Sequence, residues 1–340
     1  MFGRGKRELI SNLLERSGVL RLLENSPFTD SLLVLSYNRV LHARDCPFDR
    51  GAISATPDQF YEQASYFKSR FQVTGLPELL DQVESGKPWT GFRTMITFDD
   101  GYIDHYQNVF PILRSLGLPA VFFLPTSYID TSRVPWWDQI AYLLRRSRNQ
   151  AISLDYPEPC TLTLDEASLE ESIRQVLRLY KSPAVRDTER FFEMLERECG
   201  VARLEIADPP LFLTWEHARE MLAGGMHIGS HTHSHRNLSN LTEEGQVEEL
   251  RKSRELLERN LRTRLVSLAI PSGALHSFNG STGRALRETG YQVAFSLYGG
   301  VNRGSALRPF DIKRSAVEGT MSFADVRFTV LQAATLGLSW

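Results

Sequence analysis

Several features that mark specialised classes of protein are scarce in this sequence. Its 340 residues include three cysteines, Cys46, Cys160 and Cys199, which lie far apart and form no CxxC pair. A CxxC zinc or redox motif is therefore excluded, a disulfide framework is not expected, and a reducing compartment is. Lys and Arg total 39 against 41 Asp and Glu, so the chain lacks the positive excess typical of nucleic-acid binding. No nucleic-acid partner is expected.

Membrane and export signals are also missing. No run approaches the ~18 apolar residues of a membrane span, and the N-terminus lacks the apolar core and cleavage site of a secretion signal. These absences predict a cytoplasmic protein. Residues 1–30 do carry leucines at helical spacing with arginines between them, which predicts an amphipathic helix. Such a helix would either pack on its own domain or make a peripheral membrane contact.

Short apolar segments separated by helical patterns run through most of the chain. The segments that predict buried strands are 32–37, 95–98, 120–124, 226–230, 265–270 and 292–297, and helices are predicted over 108–116, 242–261 and 281–289. Apolar strands alternating with helices are typical of a parallel α/β fold covered on both faces. We expect one domain over residues 31–320, with a helical insertion at about 132–214, and a C-terminal tail over 321–340.

Two carboxylates directly follow the predicted strand 95–98. Asp99 and Asp100 come before Gly101, which lets the backbone turn sharply. Adjacent carboxylates beside an apolar strand are costly unless a cation lies next to them. The plainer interpretation is a helix cap or an Asx-turn. Because parallel barrels carry their active sites at the carboxyl ends of strands, a functional role is the alternative.

A histidine cluster follows the predicted strand 226–230. His231 and His235 are four residues apart, so they share a face on a helix or a strand, and that spacing suits two imidazoles on one divalent metal. His233 would share the face only in a strand. A surface histidine cluster is the alternative.

One aspartate and two histidines together would form a metal site with open positions, which suits hydrolysis. A metal lowers the pKa of a bound water and polarises a carbonyl group. The other aspartate of the pair is then available as a general base. We expect zinc, although cobalt, nickel or manganese would fit the same ligands.

These motifs, in this order, resemble the polysaccharide deacetylase family, also called the NodB-homology or carbohydrate esterase 4 group. The motifs are TFDDG at 97–101, HTHSH at 231–235 and PSG at 271–273. LSYNRV at 35–40 is similar to a Tyr-His-Arg-Val segment of one bacterial branch, with Asn38 in place of the histidine, and PWWD at 135–138 resembles an insertion of that branch. The resemblance covers about residues 32–317. It implies a distorted (β/α) barrel and metal-dependent removal of N-acetyl groups from amino sugars.

The resemblance also implies a role for individual residues. Asp99 would be the general base that deprotonates a metal-bound water, and the ligands of the metal would be Asp100, His231 and His235. Thr232 would support the histidine turn. Ser272, between Pro271 and Gly273, would offer a backbone N–H to the developing oxyanion. Tyr102 and Trp137 are further candidates for substrate contact, Trp137 either as a sugar-stacking wall or as a core aromatic side chain.

Two departures from the family pattern concern the acid and the base. The family usually has an arginine two residues before the proline, where this chain has Ala269, and we expect Arg314 to replace it, with Arg308 as second choice. The late Leu-x-x-His that supplies the general acid is absent. His276, the one histidine after His235, would either protonate the leaving amine or be a solvated loop residue. Without a separate acid, Asp99 would return the proton that it took from water.

We therefore expect a hydrolase that deacetylates an N-acetylated amino-sugar glycan or a lipid-linked saccharide. In the cytoplasm, or at the inner face of the membrane, it would meet a lipid-linked or nucleotide-linked precursor. One alternative keeps the metal and changes the bond, as in deformylation or hydrolysis of another C–N bond. The other is a carbohydrate-binding barrel without turnover, which the two departures favour and the intact Asp99, Asp100, His231 and His235 set disfavours.

Overall fold

The structure is a computed structural model that describes residues 4–303 and 307–337. Its strands are β1 (Ser31–Tyr37), β2 (Arg39–Val40), β3 (Ile53–Ala55), β4 (Gln72–Val73), β5 (Phe92–Phe98), β6 (Val121–Leu124), β7 (Ala151–Leu154), β8 (Cys160–Thr163), β9 (His227–Ser230), β10 (Ser267–Ala269), β11 (Val293–Phe295), β12 (Asn302–Arg303) and β13 (Arg314–Ala316). Its α-helices are α1 (Arg4–Arg16), α2 (Val19–Leu23), α3 (Pro57–Arg70), α4 (Leu76–Ser85), α5 (Phe110–Leu116), α6 (Trp136–Arg146), α7 (Leu169–Lys181), α8 (Thr188–Cys199), α9 (Trp215–Ala223), α10 (Glu243–Leu261), α11 (Gly280–Glu288) and α12 (Phe323–Leu336).

The central sheet is parallel except for the short β12, which pairs antiparallel with β1, and it nearly closes into a barrel. Its order is β11-β10-β9-β6-β5-β1. β13 lies parallel to β1, with Val34 opposite Arg314, and Ile312 just before it bridges to Phe295 of β11. The short stretch 312–316 therefore joins the two edges of the sheet. The expected distorted (β/α) barrel is confirmed.

Each of the six predicted strands forms, as β1, β5, β6, β9, β10 and β11. Their side chains are almost all buried, because the sheet is covered by helices outside and packed side chains inside. The predicted helices correspond to α5, α10 and α11, and a turn of π-helix over His105–Val109 precedes α5. Consecutive parallel strands thus bring the polar residues that follow them to one end of the barrel.

The insertion is helical only in part. It contains α6, α7 and α8, but also an antiparallel hairpin of β7 and β8 that the sequence analysis missed. Ile152, Leu154 and Leu162 point inward, while the residues between them are exposed or half-buried. This alternation is the period of a half-buried strand, and four residues are too few for it to stand out in the sequence.

The expected C-terminal tail is wrong, because α12 belongs to the core. Ser322 and Asp325 form a capping box at its start, and Val326 and Val330 are buried. The predicted N-terminal helix forms as α1 and α2, which pack against α12, with Ser11 Oγ 2.6 Å from Asp325 Oδ1. Residues 1–3 and 338–340 lie outside the described residues. Among the described helices, none combines the length and apolar character needed to cross a membrane.

Candidate active site

A cleft of about 270 Å³ opens at the carboxyl ends of the barrel strands. Its volume is near the lower end of the range for small-molecule sites, roughly 300 Å³. The residues that line it are Asn38, Asp49, Gly51, Ala52, Asp99, Asp100, Trp136, Trp137, Leu177, Lys181, His231, His235, Ser272 and Leu297. The cleft therefore brings together all three sequence motifs and part of the insertion.

Backbone strain is concentrated in the turns that line this cleft. Four non-glycine residues here have positive φ: Asp100 (75°), Thr232 (63°), His235 (58°) and Ser272 (61°). Such conformations cost on the order of 1–3 kcal/mol each and persist where the surroundings hold them. Thr232 holds its turn directly, because its Oγ1 accepts a hydrogen bond of 3.1 Å from the backbone N–H of His235. Thr232 thus supports the turn, as the sequence analysis expects.

Asp100, His231 and His235 form a cluster with the geometry of a metal site. Asp100 Oδ1 lies 3.5 Å from His231 Nε2 and 3.3 Å from His235 Nε2. This Oδ1 is buried and has no hydrogen-bond partner among the described residues. His231 Nδ1 lies 2.8 Å from the carbonyl oxygen of Ala269, which can only accept, so Nδ1 carries the proton and Nε2 presents a lone pair. The donor set fits a divalent ion such as zinc.

The electrostatics of the cluster favour the protonation states that ligands need. Burial acts to raise the pKa of Asp100, but the contacts with His235, His231 and Asn38 outweigh it and hold that pKa well below its usual value. Burial lowers the pKa of His231, which keeps the imidazole neutral. A carboxylate and a neutral imidazole are the ligating forms of these side chains.

Asp99 is held by a buried arginine rather than by the cluster. Arg314 Nη1 donates to Asp99 Oδ1 at 2.7 Å, and Nη2 donates to Oδ2 at 2.8 Å. Arg314 is 0% exposed and Asp99 3%. Asp99 Oδ2 lies 4.0 Å from His231 Nε2, beside the cluster. The structure thus places Arg314 where the sequence analysis expects a substitute for the arginine missing at Ala269.

Asn38 is a site residue that sequence reasoning marked only as a departure. Its Nδ2 donates to Asp100 Oδ2 at 2.8 Å, which leaves Oδ1 to face the histidines. The backbone carbonyl oxygen of Asn38 lies 2.5 Å from Nε2 of the buried His105, the first residue of the π-helical turn. The sequence feature that could have identified Asn38 is its position directly after a buried strand, which Asp99 and His231 share.

Tyr102 does not reach the cleft, so the expected substrate contact is wrong. The residue is 0% exposed, because its ring stacks on Phe212. Its hydroxyl donates to Asp138 Oδ2 at 2.8 Å and accepts from Trp137 Nε1 at 2.5 Å. Trp137 lines the cleft with its ring 4.5 Å from that of His235. Tyr102 therefore positions Trp137. Asp138, which accepts from the Tyr102 hydroxyl, is itself buried, and burial raises its pKa to about 7.

The loop after β10 contributes Ser272 but not His276. A Cβ atom on Gly273 would lie 2.5 Å from the backbone nitrogen of Leu297, so only glycine allows this approach. Pro271 is buried. Ser272 lines the cleft, and its backbone N–H has no protein acceptor in the described part of the chain. His276 is exposed and does not line the cleft. A general acid at His276 is therefore wrong in this structure.

The outer wall of the cleft comes from regions without a sequence motif. Asp49 lies in the loop after β2, and Lys181 is the last residue of α7 in the insertion. Trp136, beside Trp137, is partly exposed and stacks on Tyr180 with ring centroids 4.5 Å apart. Asp49 and Lys181 were not predicted from the sequence, because neither follows a predicted strand or belongs to a motif with a spaced partner residue.

Comparisons with known proteins point to one family. The sequence model of a family described as polysaccharide deacetylase matches residues 90–294. Over 112 residues the chain is 29% identical to poly-beta-1,6-N-acetyl-D-glucosamine N-deacetylase of Escherichia coli K12, a match that spans 32% of this chain and 16% of that protein.

Solved structures share the fold. The Streptococcus pyogenes deacetylase PplD in complex with acetate superposes with a TM-score of 0.57 at 16% identity, over 90% of this chain and 99% of that one. IcaB from Ammonifex degensii superposes with a TM-score of 0.57 at 19% identity, over 89% and 98%. At these identities the likeness concerns the fold.

Proposed function

Because this chain belongs to the polysaccharide deacetylase family, we propose that it is a metal-dependent hydrolase that removes N-acetyl groups from an amino-sugar glycan or a lipid-linked saccharide. The observation that carries the proposal is the pairing of two neighbouring carboxylates with different partners. Asp100 faces two histidines, and Asp99 is fixed by Arg314 beside them. One carboxylate is thus available as a ligand and the other as a base.

Asp100, His231 and His235 would hold the ion, for which zinc is our first candidate. When bound, a divalent ion lowers the pKa of a water molecule and polarises a carbonyl oxygen. Asp99 accepts a proton from the attacking water, because the adjacent guanidinium holds its carboxylate in place beside the cluster, with Oδ2 4.0 Å from His231 Nε2. The Ser272 N–H donates to the carbonyl oxygen as that oxygen becomes negative. The C–N bond then breaks, giving acetate and an amine.

The substrate class rests on the family and on the cleft. The names of the E. coli relative and of PplD describe deacetylases. Trp136 offers a partly exposed aromatic face at the cleft wall, a surface on which a sugar ring can pack. A barrel that only binds carbohydrate is less favoured, since binding does not require a second carboxylate held by its own buried arginine.

The first test is metal content of the purified protein by mass spectrometry, for the wild type and a H231A/H235A double variant. We expect about one zinc-like ion per chain, lost in the variant. Acetate release from N-acetylglucosamine oligomers and from lipid-linked precursors would follow, with Asp99→Asn as the control that keeps the metal and loses turnover. Absence of metal from the wild type even after reloading, or acetate release by Asp99→Asn at the wild-type rate, would contradict the proposal.

We also propose that the protein acts in the cytoplasm, where its substrate would be a precursor. Fractionation of cells that express the full chain tests this. Recovery of the protein outside the cytoplasmic membrane would contradict it.

A further inference from the structure

The proposed reaction needs a proton donor for the leaving amine. When the C–N bond breaks, the amine nitrogen is protonated either by Asp99, which has just received a proton from water, or by a separate acid. His276 does not line the cleft, and His231 and His235 are committed to the ion. Of the described side chains that do line it, those left with a proton to give are Asp49 and Lys181.

Lys181 lies on the same aromatic wall as the metal ligands. Its Nζ is 5.8 Å from the ring centroid of Trp136, and the ring of His235 is 6.4 Å from that same centroid. Trp136 packs edge-on against Trp137, which contacts His235. A sugar that packs against Trp136 would therefore lie close to both the metal cluster and the ammonium.

The charged groups that face Lys181 are Asp49 and Asp100. Lys181 is exposed as a residue, but the cleft around its ammonium lowers its pKa below the usual value through desolvation, and the two carboxylates offset part of that change. A lysine with a lowered pKa is a better proton donor near neutral pH than an ordinary one. Its position at the end of α7 lets the side chain follow the leaving nitrogen, because it makes no salt bridge at 4 Å or less in the described residues.

We propose that Lys181 is the general acid of this enzyme, in place of the histidine that the chain lacks. The inference rests on the proposed deacetylase function. Water oxygen bonds to the acetamide carbon while Asp99 takes one water proton, and the C–N bond breaks as the nitrogen takes a proton from Lys181 Nζ. The products are acetic acid and the free amine. The proton on Asp99 is lost to solvent and Lys181 is reprotonated from solvent, which restores the starting state.

The test compares two leaving groups. An acetamido sugar releases an amine that needs a proton, whereas 4-nitrophenyl acetate releases a stable anion that does not. We expect Lys181→Met to lower kcat on the amide by about 10²–10⁴-fold, the usual contribution of a general acid. Its activity on the ester should stay within about threefold of wild type, at equal metal content measured on each sample.

Two further variants separate proton donation from charge. Lys181→Arg keeps the positive charge but holds its proton too tightly to donate, so it should behave like Lys181→Met on the amide. Lys252→Met, on the exposed surface of α10 outside the cleft, is the matched control and should leave both activities unchanged.

Several results would overturn the assignment. One is that Lys181→Met turns over the amide within threefold of the wild-type rate, and another is that it loses amide and ester activity equally. A third is that Lys181→Arg restores turnover of the amide. The last is that Asp49→Asn, and not the lysine variants, shows a selective loss of amide turnover. If the metal-loaded wild type itself releases no acetate from any acetamido sugar, the proposed function fails. If the wild type is active and the lysine variants show no selectivity, only the assignment of Lys181 fails.

Discussion

The pair of Arg314 and Asp99 gives the sharpest prediction from this structure. Arg314→Met removes two charge-assisted hydrogen bonds of 2.7 and 2.8 Å to a carboxylate that is 3% exposed, and leaves that carboxylate buried without a cation. Breaking a buried pair in this way costs about 3–5 kcal/mol. At roughly 2 °C per kcal/mol in a chain of this size, the Tm should fall by roughly 6–10 °C.

The same substitution should damage catalysis, because Asp99, the proposed base, loses the group that orients it. A misplacement of about 1 Å lowers turnover by roughly 10²-fold, so kcat for acetate release should fall at least that far. The metal content should stay at the wild-type level, since Arg314 contacts none of the three proposed ligands. Arg308→Met, on an exposed arginine six residues earlier, is the control and should change neither Tm nor kcat.

A double-mutant cycle with Asp99→Asn isolates the pair. Either single variant leaves one buried charge uncompensated, whereas the double variant removes both. Its loss of stability should therefore be smaller than the sum of the two single losses, by more than about 1 kcal/mol. Thermal unfolding followed by circular dichroism measures all four proteins. Additive losses, or an Arg314→Met variant with Tm within about 1 °C and kcat within threefold of wild type, would refute the reasoning.

The remaining predictions concern the support of the site, the ion and the surface. Tyr102→Phe removes the hydroxyl that bonds both Trp137 Nε1 and Asp138, so thermal unfolding should show a loss of about 1–3 kcal/mol in stability at unchanged metal content. Unchanged stability would contradict this. Burial raises the pKa of Asp138 from 3.8 to about 7. Between about pH 4 and 7 the folded chain therefore binds more protons than the unfolded chain, and the free energy of unfolding falls as the pH rises through this range. Asp138→Asn should remove that part of the pH dependence of Tm, and an unchanged slope would show that another group is responsible. If the free metal ion is present at ~100 times its Kd, its removal by a chelator should lower the free energy of unfolding by about 2.7 kcal/mol, and the Tm with it. The H231A/H235A variant, which lacks both proposed histidine ligands, should show no such change. We further propose that α1 contacts anionic membranes through Leu9 and Leu13, which are exposed one turn apart; a Leu9→Glu/Leu13→Glu variant should no longer sediment with anionic vesicles, and retained binding would exclude this face.

Much of the barrel and of the candidate metal site could be predicted from the sequence, because both rest on local patterns. The strands β5 and β9 are short apolar runs, and Asp99, Asp100 and His231 follow them directly. In a parallel sheet, position after a strand determines which end of the barrel a residue occupies. Arg314 could be predicted only from the family resemblance, because the family's usual arginine is absent at Ala269 and another cation had to replace it.

The rest depends on contacts between distant segments, which leave no local pattern. Tyr102 follows the aspartate motif and was expected in the cleft, yet Gly101, with φ of 69°, turns the chain so that the ring packs on Phe212. Asp49 and Lys181 reach the cleft because a loop and an inserted helix fold over it. Their arrival depends on tertiary packing, which spacing along the chain does not encode.

The closure of the barrel by residues 312–316 has a consequence for biosynthesis. Asp99 and the guanidinium that orients it are 215 residues apart in the chain. At ~5–20 residues per second, a ribosome adds that length in roughly 10–40 s. All three proposed metal ligands emerge well before Arg314. A nascent or truncated chain that ends before β13 would therefore bear the metal ligands without an aligned base, and hydrolysis would begin only after the last strand of the barrel has been made and has docked.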